Sequence, residues 1–270
     1  MHITLAAISD SPYRSAVEEF TERIAVLLEG RARLANLTVG QPREHETGTG
    51  LLAEEEGLRD RAAEKAAHGF CRTDGTCPVP VESLWVAGDL HGALVRELAH
   101  CDLGVVGKTL TGELTGGRGL GAEVARLKQW CTRPLAIVPE RVHPIGKVLF
   151  VYTEHPEAGH ALSLAAPLAR KGVAVYLLQA ISPLGRTELV GTGARYLELH
   201  DVPFEMADVE CENCEATGGP AGEVLHFAAQ EQLDLIVMGG TRRGLIGRLL
   251  WPEMAQEIAW NTTVPVLIWY

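Results

Sequence analysis

Two prolines, Pro134 and Pro265, each admit the chain into a short apolar run, "LAIV" and "VLIW", and they lie 131 positions apart. Asp102-Leu103 and Asp234-Leu235 both open apolar runs that end in glycine, and they lie 132 positions apart. The segment from Gly146, "GKVLFVYTEHPEAGHALSLAAPLARKGVAVYLLQA", repeats the pattern of the amino terminus: apolar strand, polar turn with a proline, amphipathic helix, second strand. A repeat of this period means that one supersecondary plan is written twice, and it rules out any fold that is not itself double.

Each copy reads β-α-β-α-β-α-β-α-β. Strands are predicted near 2–8, 31–39, 79–87, 103–107 and 134–138, and again near 147–153, 173–180, 203–209, 234–238 and 264–269. They are nearly continuous runs of Val, Ile, Leu and Ala, as expected of strands buried on both faces. Helical segments between them imply parallel strands joined by right-handed crossovers. Leu162, Ala165, Ala166 and Ala169 give one of these helices an apolar stripe at helical spacing. The prediction is an α/β chain of two tandem five-stranded parallel sheets, with domains at 1–141 and 146–270 joined through the Pro/Gly link "VPERVHPIG". The chain closes on "VPVLIWY", too apolar for an exposed edge. Pairing it with the last strand of copy one makes the chain an intramolecular pseudo-dimer. A further homodimer is left open.

The net charge of −11 repels phosphate backbones, so nucleic acid is not an expected partner. No run approaches the ~18 apolar residues of a membrane span, and the opening "MHITLAAISDSPYRS" lacks a signal peptide's basic start. A cytoplasmic location is the expectation.

Gly107-Lys108-Thr109 matches the end of a P-loop. That motif needs a glycine five residues before the Gly-Lys pair, and the position holds Asp102. The match is therefore superficial. A different anion site remains: Gly107 ends a predicted strand, Gly121-Ala122 opens the next helix, and the glycines between let backbone approach a phosphate. Lys108, Thr109, Thr111 and Thr115 would add charge and hydroxyls. The other reading of this loop is a solvated Gly/Thr segment.

Taken with the repeat, "EVLHFAAQEQLDLIVMGG", the closing "VPVLIWY", "RELAHCDLGVVGK" and "GLGAEVARLKQWCTRPLAIV" resemble the universal stress protein family in its tandem form. The resemblance implies the adenine nucleotide alpha hydrolase-like fold, a stress-response binding or regulatory role, and no enzyme activity beyond a weak ATPase. Some members bind ATP through G-x-x-G-x9-G-[ST] after the fourth strand. Copy two keeps the spacing and not the chemistry: Gly239 is followed by Arg242, Pro252 and Glu253 at the remaining motif positions. Copy one is partial, with Gly107 and Gly121 in place, Leu110 at the second glycine and Ala122 for the hydroxyl residue. The resemblance also points to Ser9 at the end of the first strand and Gly88 after the third. It places any ATP or AMP in copy one, held by Ser9, Gly88, Gly107, Lys108, Thr109, Gly121 and Ala122.

Cys211 and Cys214 form a C-x-x-C, and Cys71 and Cys77 occupy the matching place in copy one. Brought together, four thiolates would suffice for zinc; a redox pair is the alternative, opposed by Glu210, Glu212 and Glu215. Ordinary loop thiols are the third reading. Cys101 and Cys131 sit in apolar helical contexts and are expected in the core.

Overall fold

The computed structural model describes residues 2–9, 11–37, 77–86, 90–110, 121–152, 156–179, 192–207, 219–239 and 251–269. The amino-terminal half runs β1 (Ile3–Ile8), α1 (Arg14–Leu27), β2 (Arg31–Leu37), β3 (Val81–Val86), α2 (Leu90–Ala99), β4 (Leu103–Gly107), α3 (Ala122–Trp130) and β5 (Leu135–Val138). The carboxyl-terminal half runs β6 (Lys147–Tyr152), α4 (Pro156–Leu162), α5 (Ala165–Arg170), β7 (Ala174–Gln179), α6 (Thr192–Leu199), β8 (Glu205–Met206), α7 (Pro220–Gln230), β9 (Leu235–Gly239), α8 (Trp251–Asn261) and β10 (Val266–Trp269).

The strands form a single ten-stranded sheet in the order β3-β2-β1-β4-β5-β10-β9-β6-β7-β8. Pairing is parallel everywhere except at the centre, where β10 runs antiparallel to β5 with Leu267 opposite Ala136. The last strands of the two copies therefore meet, as their apolar character predicts. Alternate side chains serve opposite faces. Leu5, Leu135, Ile137, Leu149, Val266 and Ile268 join one core cluster. Ala6, Ile8, Ala136, Val138, Phe150 and Leu267 join the other. Each cluster draws on both halves, so the seam is continuous core on either face.

Two expectations need correction. The helix predicted to carry Leu162 through Ala169 is broken into α4 and α5. Pro167 has no N–H to offer the Ser163 carbonyl, and its ring crowds that oxygen, so the chain turns at Ser163–Leu164. The stripe survives the break: Leu162 and Ala165 are buried, and Ala166 and Ala169 pack against the same cluster. Of the strand predicted over 203–209, the described residues show Glu205–Met206 as strand, and it is exposed. It pairs with β7 alone, and a short, charged edge strand resists further pairing.

The repeated aspartates have a shared task. The Asp102 carboxylate accepts the Ile3 N–H at 2.8 Å, tying the start of β4 to the start of β1. The Asp234 carboxylate accepts the Gly146 and Lys147 N–H groups, each at 2.9 Å, tying β9 to β6 in the same way. A first strand entering a sheet has amide donors with no ladder partner, and a carboxylate supplies a strong one. Replacing either residue by alanine should lower the free energy of unfolding by about 1–3 kcal/mol. Asp234→Ala, which loses two bonds, should cost more than Asp102→Ala. Urea denaturation of the two variants measures the difference, and equal or negligible losses would contradict this role.

Candidate functional site

In the amino-terminal half the chain builds β1, β2 and β3 outward in one direction, then returns to add β4 and β5 on the other side of β1. The strand order reverses between β1 and β4. Helices leave such a pair to opposite faces, opening a crevice at the strands' carboxyl ends, where open α/β sheets take ligands. Ala6 lies opposite Val105, and the two strands run on from that pair to Ser9 and to Gly107-Lys108-Thr109. The structure thus brings these four predicted residues to one place.

Each has a definite environment. Ser9 is buried, and its hydroxyl donates to Ser11 Oγ at 3.1 Å. Thr109 is 1% exposed, and its Oγ1 has no hydrogen-bond partner among the described residues. Buried hydroxyls are rarely left in that state without a ligand or water to meet them. Gly121 is the N-cap of α3, with φ −49°, and its N–H donates to the Lys108 carbonyl at 2.9 Å. That bond closes the loop between β4 and α3 at its base. Ala122 is the first residue of α3. Leu110, at the second glycine position, is buried in a core cluster and has become a packing residue. Gly88, Cys211 and Cys214 lie outside the described residues.

Gly107 is explained by packing. A Cβ on it would lie 2.4 Å from Tyr13 Cβ and 2.7 Å from Tyr13 Cγ. Tyr13 is the N-cap of α1 and is buried over the end of β4; burial, then the nearby Glu140 carboxylate, pushes its phenol pKa up. The counterpart Gly239 is hemmed in by backbone, with a Cβ only 2.6 Å from Ala158 N and 2.8 Å from its Cα. In both halves the helix after the first strand crosses directly over the end of the fourth. Gly219 is a glycine for another reason: its φ of +84° at the entry to α7 is one that residues with a side chain seldom adopt.

Lys108 is the main departure from the sequence reading, in which it supplies charge to the loop. Its ammonium donates to the Trp260 carbonyl at 2.6 Å and the Thr262 carbonyl at 2.8 Å. It also lies 5.9 Å from the centre of the Trp260 ring. The side chain is 9% exposed, and burial lowers its pKa against the opposing effect of Glu140. Lys108 therefore caps the carboxyl end of α8, in the other half of the molecule, where a cation meets unpaired carbonyls and the negative end of the helix dipole. The reach follows from the seam. β10 is antiparallel to β5, so the carboxyl end of β4 lies at the edge of the sheet where β10 begins and α8 ends. The sequence carries no signal of this contact, since its partners are more than a hundred residues away.

In the carboxyl-terminal half, α8 begins at Trp251, so Pro252 and Glu253 fall in its first turn. Both are favoured there without any anion. The four-thiolate reading loses a member, because Cys77 is disulfide-bonded. No group of three or more His, Cys, Asp or Glu among the described residues is placed to hold a metal ion. Cys101 and Cys131 are buried in the core, as expected.

Residues 144–269 match the universal stress protein family model. A universal stress protein of Methanocaldococcus jannaschii is 29% identical over 122 residues, covering 41% of this chain and 71% of that protein. The crystal structure of a universal stress protein from Archaeoglobus fulgidus superposes with a TM-score of 0.69 at 13% identity, over 99% of this chain and 95% of that one. The cytoplasmic domain of a prokaryotic cation chloride cotransporter reaches 0.51 at 11% identity, over 99% and 94%. At these identities the structural likenesses concern the fold alone.

If the glycines at the ends of β4 and β9 answer to packing, Gly107→Ala and Gly239→Ala will each destabilise the ligand-free protein by about 1–3 kcal/mol. The urea midpoint without added ligand checks this. An unchanged midpoint would mean that the glycines serve ligand approach instead.

Proposed function

We propose, from the match of residues 144–269 to the universal stress protein family model, that the whole chain is a tandem universal stress protein, with domains at 1–141 and 146–270, that acts by binding and regulation, without catalysis. Its ligand is an adenine nucleotide, ATP or AMP, held in the amino-terminal crevice between β1 and β4. The carboxyl-terminal domain serves as scaffold. The observation that carries this reading is the buried Thr109 hydroxyl, without a partner among the described residues, at the strand-order reversal. Ser9 is at hand just after β1, and α3 opens at Gly121 with its amino-terminal N–H groups available to a phosphate. Lys108 is assigned to α8, so hydroxyls and backbone N–H groups bind the nucleotide and Lys108 stays a brace.

No helix among the described residues is long and apolar enough to cross a membrane. We place the chain in the cytoplasm on the family reading. The Cys77 disulfide pulls the other way, since thiols there are kept reduced.

Millimolar Mg-ATP or AMP should raise the melting temperature by several degrees, because a ligand at about 100 times its Kd stabilises by about 2.7 kcal/mol. Gly121→Asp, which sets a carboxylate at the start of α3, should abolish the rise. Lys108→Met should lower the starting melting temperature and keep the increment. No rise in the unaltered protein would end the nucleotide reading, and release of phosphate from ATP at a steady rate would end the non-catalytic one.

A further inference from the structure

Lys108 makes two connections that no other described residue combines. Its carbonyl accepts the Gly121 N–H and so ties the chain just after β4 to the start of α3. Its ammonium holds the Trp260 and Thr262 carbonyls at the end of α8, in the other half. Thr109, with its unpartnered buried hydroxyl, is the next residue. Among the described residues the connection runs in this one direction, across a seam that is symmetric in its strand pairing.

We propose that Lys108 is a coupling residue that transmits the state of the amino-terminal crevice to the carboxyl end of α8 in the opposite half. The physical element with two states is the last turn of α8. With the ammonium in place its final carbonyls are satisfied; with the ammonium displaced they are open to water and the turn frays. Displacement needs only a small shift of the Lys108 backbone, because the side chain is nearly buried and clamped at 2.6 and 2.8 Å. Whatever tightens or loosens the loop base at Gly121 moves that backbone. The coupling holds for any occupant of the crevice and does not depend on its being a nucleotide.

A test without ligand uses hydrogen exchange on the full chain. Gly121→Pro removes the N–H that bonds Lys108 while keeping a φ close to that observed, −49°. In the native background it should speed exchange several-fold at the amides of residues 258–262 and leave those of β6 and β7 unchanged. In a Lys108→Met background the same substitution should add nothing at 258–262; Lys108→Gln serves if the methionine variant does not fold. No effect of Gly121→Pro on α8, or an increase spread evenly over the carboxyl-terminal half, would overturn the proposal. So would an effect that persists without the lysine. An AMP arm separates this inference from the functional reading. AMP that raises the melting temperature and slows exchange at 258–262 only when Lys108 is present supports both. AMP that raises the melting temperature without touching α8 removes the coupling alone. If AMP does not bind, the nucleotide reading falls and the Gly121→Pro comparison still decides the coupling.

Discussion

The antiparallel pairing of β5 with β10 is the constraint on which the remainder of the molecule depends. Each half by itself ends in a short strand of apolar residues with one row of N–H and C=O groups unpaired. Left open, that edge is both a desolvation cost and an invitation to aggregation. Pairing the two edges satisfies both rows at once and turns two five-stranded sheets into one of ten strands. Because the join is antiparallel, it also decides what lies next to what. The carboxyl end of β4, where the crevice opens, is set beside the end of α8. A second tie crosses the halves at the surface, from Lys171 at the end of α5 to Glu29 after α1, and it is exposed and secondary.

The glycines at 107 and 239 show how one residue type serves two masters. A ligand loop and a close helix crossing both require the absence of a Cβ, and a sequence pattern registers only the absence. Here the crossing helices account for both positions, through Tyr13 in one half and Ala158 in the other. Gly239 persists in a half whose remaining motif positions have turned to arginine, proline and glutamate. Packing explains that persistence where ligand binding would not. The crevice in the amino-terminal half is then defined less by its glycines than by what lies beyond them, above all the unpartnered Thr109 hydroxyl.

Much of the fold was legible because it rests on local or repeating signals. Strands such as Leu103–Gly107 are continuous apolar runs between turn residues, and the seam could be argued from an ending too apolar to stay exposed. The matched aspartates were visible as a repeat, although their bonding to the first strand's amides was not, since that depends on which strand the sheet places alongside. The break before α5 was in principle readable from Pro167, whose effect falls four residues earlier and is masked by the apolar stripe that runs through it. The candidate site was legible in outline only: Ser9 and Thr109 follow strands that the sheet sets side by side, and Leu110 proved to be core.

The sequence by itself determined the duplication, the parallel α/β plan of each half and the apolar closing strand, because each of these is written in residues near one another or at a fixed period. Only the tertiary structure decided that Lys108 belongs to α8, that Tyr13 and Ala158 are the reasons for two glycines, and that the Thr109 hydroxyl has no partner among the described residues. Those facts depend on which surfaces the antiparallel seam and the crossing helices bring together, and such meetings leave no local trace in the order of residues.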